Sequence, residues 1–199
     1  MRTVDDFEKK NIVLLLLKEA VFLDVEKKEV QAKGGEIYSF DKLLIASGGS
    51  PRATNIPGEN LAGIFRLQTI DDADGLVKLL PEARKIIVIG GGFIGLEFLE
   101  IAEAHKIPTT LIIRDSHFFK GILDQNGGEL MSKNFERFGV NLIFEDEAME
   151  FGGKERVTGL RTKKGRVFEA DIVGVGIGLK MNDDFTRGTG IGVAAGQGI

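Results

Sequence analysis

The sequence predicts an alternating α/β fold: a parallel sheet with helical crossovers, an antiparallel hairpin added to it, and a small antiparallel meander. Three observations predict it. Strand, helix and strand patterns follow one another twice between Lys85 and Phe144, and several apolar runs are continuous, as in strands buried on both faces. The third is a period-two stretch from Glu19 to Phe40.

The meander has Val21, Leu23 and Val25 on one side, then Val30 and Ala32, then Ile37, with breaks at Glu26-Lys27-Lys28 and Gly34-Gly35. Lys42 to Ala46 reads as a buried parallel strand that runs into the tight loop Ser47-Gly48-Gly49-Ser50-Pro51. Thr69 to Leu80 reads as a helix: Thr69 caps it, Asp71, Asp72 and Asp74 suit the dipole of its first turn, and Leu76, Leu79 and Leu80 form its apolar face before Pro81. The acids there are a solvated helix start rather than a metal site. Next come strand Ile86 to Ile89, a glycine turn, a helix through Ala104 and strand Thr109 to Ile113. A helix from Glu129 to Phe138 leads past Gly139 into strand Val140 to Phe144. Val157 to Thr162 and Arg166 to Glu169 flank Lys163-Lys164-Gly165 as a hairpin, and Asp171 to Val175 returns as a buried strand. The glycine-rich tail from Arg187 to Ile199 has little capacity to pack, and it reads as cut rather than finished.

Composition narrows the function. With 43% hydrophobic residues in 199, the chain can fill a real core. Lys and Arg number 26 against 30 Asp and Glu, so the net charge of −4 offers no cationic surface for nucleic acid. Cysteine is absent, which excludes a disulfide framework, a thiolate nucleophile and a thiolate metal site within these residues. The longest apolar run, Ile12 to Leu17, falls far short of the roughly 20 residues of a bilayer crossing. The expectation is a soluble, cytoplasmic protein without a membrane partner.

Gly90-x-Gly92-x-x-Gly95 stands directly after one strand and before a helix, the place of a dinucleotide fingerprint in a Rossmann-like unit. Gly90 permits the turn, Gly92 lets the backbone approach a pyrophosphate, and Gly95 lets the helix press on the sheet. The helix start, with Phe93 and Ile94, then offers free amides to the anion. At the end of the next strand, where an acid usually grips the ribose of NAD, stands Ile113. Arg114 and Asp115 follow; the first suits a 2′-phosphate and NADP, the second a ribose hydroxyl and NAD, and both readings stay open. Glu97 is either a helix-start acid or a carboxylate facing the nicotinamide. Other patterns fail: Tyr38 and Lys42 lie on strand and turn residues, and His105 and His117 have no nucleophile or second ligand nearby and read as surface positions. Glu145-Asp146-Glu147 and Asn182-Asp183-Asp184 read as solvated loops.

The runs Lys42 to Arg52, Ile56-Pro57-Gly58, Phe65 to Asp74, Gly90 to Glu97 and Asp171 to Gly178, in that order, resemble the FAD-dependent pyridine nucleotide-disulfide oxidoreductase family. The similarity is greatest to its NADH oxidase, nitrite reductase large-subunit and rubredoxin reductase branch. The resemblance implies a Rossmann-like NAD(P)-binding domain at 68–177, inserted between a partial FAD-binding domain at 1–67 and a return segment at 178–199. It assigns Gly90, Gly92 and Gly95 to the NAD pyrophosphate and Glu97 to the nicotinamide end. Ala46, Ser47 and Gly48, continuing to Arg52, match the motif at the flavin, with Ser47 in place of the usual threonine; Gly176, Ile177 and Gly178 match the second crossover. The family's first glycine fingerprint and its late aspartate motif are not among these residues. The expectation is therefore a central fragment that binds NAD(P)H, retains FAD weakly or not at all, and is inactive in isolation. In the complete enzyme the resemblance implies hydride transfer from NAD(P)H to FAD and on to an unidentified acceptor, with a homodimer left open. Two rivals are a non-catalytic NAD(P)-binding module and a flavin-free Rossmann enzyme such as a methyltransferase, which leaves Ala46 to Arg52 without purpose.

Overall fold

A computed structural model describes residues 3–192. They form two compact units: residues up to Gly49 with those from Met181, and Ser50–Lys180.

The first unit holds helix α1 (Val4–Glu8) and strands β1 (Ala20–Asp24), β2 (Glu29–Ala32) and β3 (Ile37–Ser39) in one antiparallel sheet of that order. Leu23 and Ala32 are its buried apolar side chains, and the Lys27 amide donates to Asp24 Oδ1 at 2.9 Å to close the first turn. The expected strand Lys42 to Ala46 does not form, and Leu44 is 88% exposed. An apolar run becomes a strand only where its amides meet a neighbouring ladder, and no described strand lies alongside this one. The run Ile12 to Leu17 is likewise irregular and exposed. The chain returns at Asn182, whose amide donates to the Gly48 carbonyl at 3.0 Å and whose side chain donates to that of Ser47 at 3.1 Å.

From Gly49 the elements are β4 (Gly49–Pro51), β5 (Ile64–Phe65), α2 (Ile70–Leu79), β6 (Ile86–Ile89), α3 (Phe93–Ala104), β7 (Thr109–Ile113), α4 (Gln125–Arg137), β8 (Asn141–Phe144), β9 (Ala148–Gly153), β10 (Val157–Thr162), β11 (Val167–Glu169), β12 (Ile172–Val175) and β13 (Leu179–Met181). β4 and β13 pair where the chain passes between units. The central sheet of the second unit is wholly parallel, in the order β5-β12-β6-β7-β8. Its alternation sorts two cores. Ile86, Val88, Leu111, Ile113 and Ile172 face the helices, meeting Leu76, Phe98, Leu99 and Ala102. Ile87, Ile89, Ile112, Val173 and Val175 face the antiparallel sheet β11-β10-β9, meeting Phe151, Val157 and Leu160. A strand covered on both faces has no polar side to show, which is why these segments read as unbroken apolar runs.

Three details differ from the sequence reading. Residues 50–67 pack with the second unit, because β5 adds to the edge of its sheet through the Ile64–Val173 pairing. Helix α4 starts a turn before Glu129: Asp124 Oδ1 accepts the Gly127 amide at 2.8 Å, and His117 packs where a Gly128 side chain would stand, so cap and packing outweigh two glycines. β9 is the third strand of what reads as a hairpin. No helix among the described residues is long and apolar enough to cross a membrane.

Candidate dinucleotide site

The order of the parallel sheet reverses between β6 and β12, and a crevice opens at the C-terminal ends of such strands. Here glycines from two motifs interlock. Gly90 turns off β6 with φ +102°, and a side chain on it would run into the Gly176 carbonyl. A side chain on Gly95 would run into the Gly90 carbonyl, and a Cβ on Gly176 would stand 2.7 Å from the Gly95 amide nitrogen. Only hydrogen at all three lets β6, α3 and the end of β12 close on one another. Gly92 differs: a Cβ there meets no atom within 4 Å, so the space above it is open to a ligand. It caps α3, whose first internal bond runs from the Leu96 amide to the Gly92 carbonyl at 3.0 Å. The amides before Leu96 have no partner within the helix and aim their dipole outward, as an anion requires.

This turn borders a cleft of about 620 Å³ within the second unit. Of the residues singled out by sequence, Arg52, Gly90, Gly92, Arg114, Asp115, Gly176, Ile177 and Gly178 line it. Phe93, Ile94, Gly95 and Glu97 do not. Phe93 stands exposed and lays its ring against Phe119 of the opposite wall, with centroids 4.9 Å apart. Phe119 lies in the left-handed region at φ +49° and its carbonyl accepts the amides of Ile122 and Leu123, forming a tight turn in the loop after β7. Gly95 is buried, while Glu97 is exposed in the second turn of α3, because that helix begins at Phe93. Arg52 is fixed by its amide on the Gly178 carbonyl and its Nε on that of Leu179, each at 3.0 Å. Ala46, Ser47 and Gly48 belong to the first unit, where Ala46 and Ser47 border a groove of about 590 Å³.

The sequence reading missed three supports of this cleft. Glu59 holds its near wall: Oε2 accepts the Thr54 hydroxyl at 2.9 Å, the Thr54 and Asn55 amides at 3.0 and 3.1 Å, and Arg66 at 3.1 Å. The Thr54 hydroxyl first, then the Asn55 amide, hold its carboxyl below the ordinary value against the pull of burial. Asp146 is not a solvated loop acid; it is buried, with Oδ1 accepting the amides of Glu147 at 2.9 Å and Lys164 at 3.2 Å. Burial pushes its carboxyl up, but the Thr162 hydroxyl, those two amides and the Arg166 charge together hold it below the ordinary value. Nothing in an acidic triplet marks which member turns inward; the hairpin folding over it decides. His117 is no surface position either: half-buried in the cleft wall, it has Nδ1 3.1 Å from the Ser116 hydroxyl and Nε2 3.3 Å from the Leu123 carbonyl. Among the acids at the start of α2, Asp72 is a cap, taking the Thr69 amide and hydroxyl at 2.8 Å each. The described residues contain no cluster of three or more His, Cys, Asp or Glu able to hold a metal.

A parallel α/β unit with a glycine turn at its switch point and a cleft above it has the architecture in which dinucleotides are bound. Residues 3–199 match the family model described as pyridine nucleotide-disulphide oxidoreductase, and the chain belongs to that family. It is 30% identical over 195 residues to the nitrite reductase [NAD(P)H] of Bacillus subtilis (strain 168), covering 98% of this chain and 24% of that protein. Over 174 residues it is 30% identical to the biphenyl dioxygenase system ferredoxin–NAD(+) reductase component of Paraburkholderia xenovorans (strain LB400), covering 87% of this chain and 43% of that one. The covalent putidaredoxin reductase–putidaredoxin complex is similar in structure, with TM-score 0.89 and 25% identity over 98% of this chain and 48% of that chain. This chain thus spans less than half the length of each. Membership of an oxidoreductase family sets aside the methyltransferase reading.

Proposed function

We propose that the Ser50–Lys180 unit binds NAD(P)H for a flavin-dependent oxidoreductase. The observation that carries this is the interlocked turn of Gly90, Gly95 and Gly176, which leaves open space above Gly92 and the start of α3. The diphosphate lies over Gly92 and takes the free amides of the helix; the loop after β7 takes the adenosine half. Gly176–Gly178 and Arg52 border the other end of the cleft, toward which the nicotinamide extends. No described side chain is asked to move a proton: the chain binds, orients and excludes water.

The residues at the flavin side fit a close-lying flat ring. Ala46, Ser47 and Gly48 are small, Asn182 fixes the backbone at Ser47 and Gly48, and a Cβ on Gly48 would meet nothing within 4 Å. Bound FAD would supply the hydride acceptor of the reaction. The final electron acceptor would lie outside these residues, which carry no cysteine; the relatives named for ferredoxin and putidaredoxin reduction support a small electron-transfer protein as that partner.

Calorimetric titration with NADH and NADPH tests the reading, with Gly92→Asp as the decisive variant. Aspartate is a good cap for α3 and its Cβ meets no atom within 4 Å, so the fold stands, while its carboxylate repels the diphosphate. Loss of coenzyme binding at unchanged melting temperature is the expected result; undiminished binding refutes the site.

A further inference from the structure

We propose that this cleft selects the 2′-phosphorylated coenzyme, NADP(H), and that Arg114 and Lys120 are the selecting residues. The inference rests on the reading that the cleft binds a nicotinamide dinucleotide. The end of β7 is where an acid would accept the ribose hydroxyls of NAD and repel a 2′-phosphate. That position is Ile113, 4% exposed, with its side chain in the helix-side core and so close beneath Gly91 that a Cβ there would stand 2.6 Å from Ile113 Cδ1. It can neither bind a hydroxyl nor repel a phosphate.

The next residue, Arg114, emerges exposed into the cleft wall, and Lys120 is exposed in the same wall six residues on. Neither makes a side-chain hydrogen bond or ion pair among the described residues, whereas cations on the nearby hairpin are paired: Arg161 with Glu150 at 2.9 Å and Lys163 with Glu147 at 3.0 Å. A guanidinium and an ammonium without counter-charge, at the adenosine end of a dinucleotide cleft, fit a phosphate dianion. The acids of that wall do not offset them equally. Glu147 is held by Lys163 and Asp146 is turned inward onto backbone amides, which leaves Asp115 as the one competing carboxylate.

Titration of the 199-residue chain with NADPH, NADH and the fragment 2′,5′-ADP decides the matter. Charge-assisted bonds of this kind give NADPH an advantage of about ten- to a hundredfold. That preference shrinks as salt screens two exposed cations. Arg114→Gln abolishes most of it and Lys120→Gln part, each weakening NADPH binding far more than NADH binding, while Asp115→Asn leaves the preference standing. NADH binding as tight as NADPH, or an undiminished preference in Arg114→Gln, overturns the selection alone. Binding of neither coenzyme overturns the dinucleotide reading and the preference with it.

Discussion

Gly90 and Gly176 meet backbone to backbone: a side chain on the first would run into the carbonyl of the second. The two residues end neighbouring strands separated by more than eighty positions in the chain, and their contact closes the sheet just where its order reverses. Gly95 completes the contact from the helix side, so one backbone cluster serves both the fold and the anion cradle.

Gly90→Ala is therefore expected to harm both. The substitution forces a side chain into φ +102° and against a carbonyl that cannot yield, with a loss of about 1–3 kcal/mol or more. Urea unfolding monitored beside coenzyme titration shows a lower midpoint and no binding. A variant with wild-type stability would mean that β12 shifts freely, contrary to the packing described.

Glu59→Ala removes the acceptor shared by Thr54, Asn55 and Arg66. Leaving those donors unmet costs about 1–3 kcal/mol. The segment from Arg52 to Ile56 forms a cleft wall, so coenzyme affinity falls as well, by several-fold. A change in melting temperature with unaltered coenzyme affinity would show that this wall does not touch the ligand.

Acid stability should depend on Asp146. Its folded carboxyl titrates below the ordinary aspartate value, so its contribution is complete above about pH 4 and disappears as pH falls through the lower folded value. Asp146→Asn, which keeps shape but removes the charge, flattens the loss of stability on acidification below that point. Denaturant midpoints at a series of pH values test this; parallel curves for the two proteins would deny Asp146 the role.

Thr69→Ala unties the start of α2. The hydroxyl accepts the Asp72 amide at 3.2 Å while Asp72 returns a carboxylate to the Thr69 amide, a reciprocal cap. Removing it costs about 1 kcal/mol. Calorimetry should show a modest fall in melting temperature with coenzyme binding intact, since α2 does not line the cleft.

Much of the site was legible because its signals are local. The glycine spacing, the strand before it and the helix after it occupy one short stretch, and backbone conformation there is set by neighbours in the chain. Thr69 was readable as a cap for the same reason, whereas the return bond from Asp72 was not. Lys42 to Ala46 was misread because a strand is a property of two segments, and apolar content reports on only one. Asp146 and His117 escaped because their burial depends on a hairpin and a helix that fold over them from elsewhere. Glu59 escaped because its partners, Thr54 and Arg66, stand on either side of it with nothing in their spacing to mark a shared bond.

What the sequence by itself determined is the set of short-range features: the unbroken apolar runs of β6, β7 and β12, where the backbone must turn without a side chain, and the Thr69 cap. Tertiary structure alone decided that Gly176 returns to lock against Gly90, that Ile113 points into the core while Arg114 stays in the cleft, and that one acid of a triplet is buried. The physical reason is that propensities and caps are energies of neighbouring residues, whereas burial, close backbone approach and the side on which a charge emerges are energies of surfaces that meet only when distant parts of the chain pack.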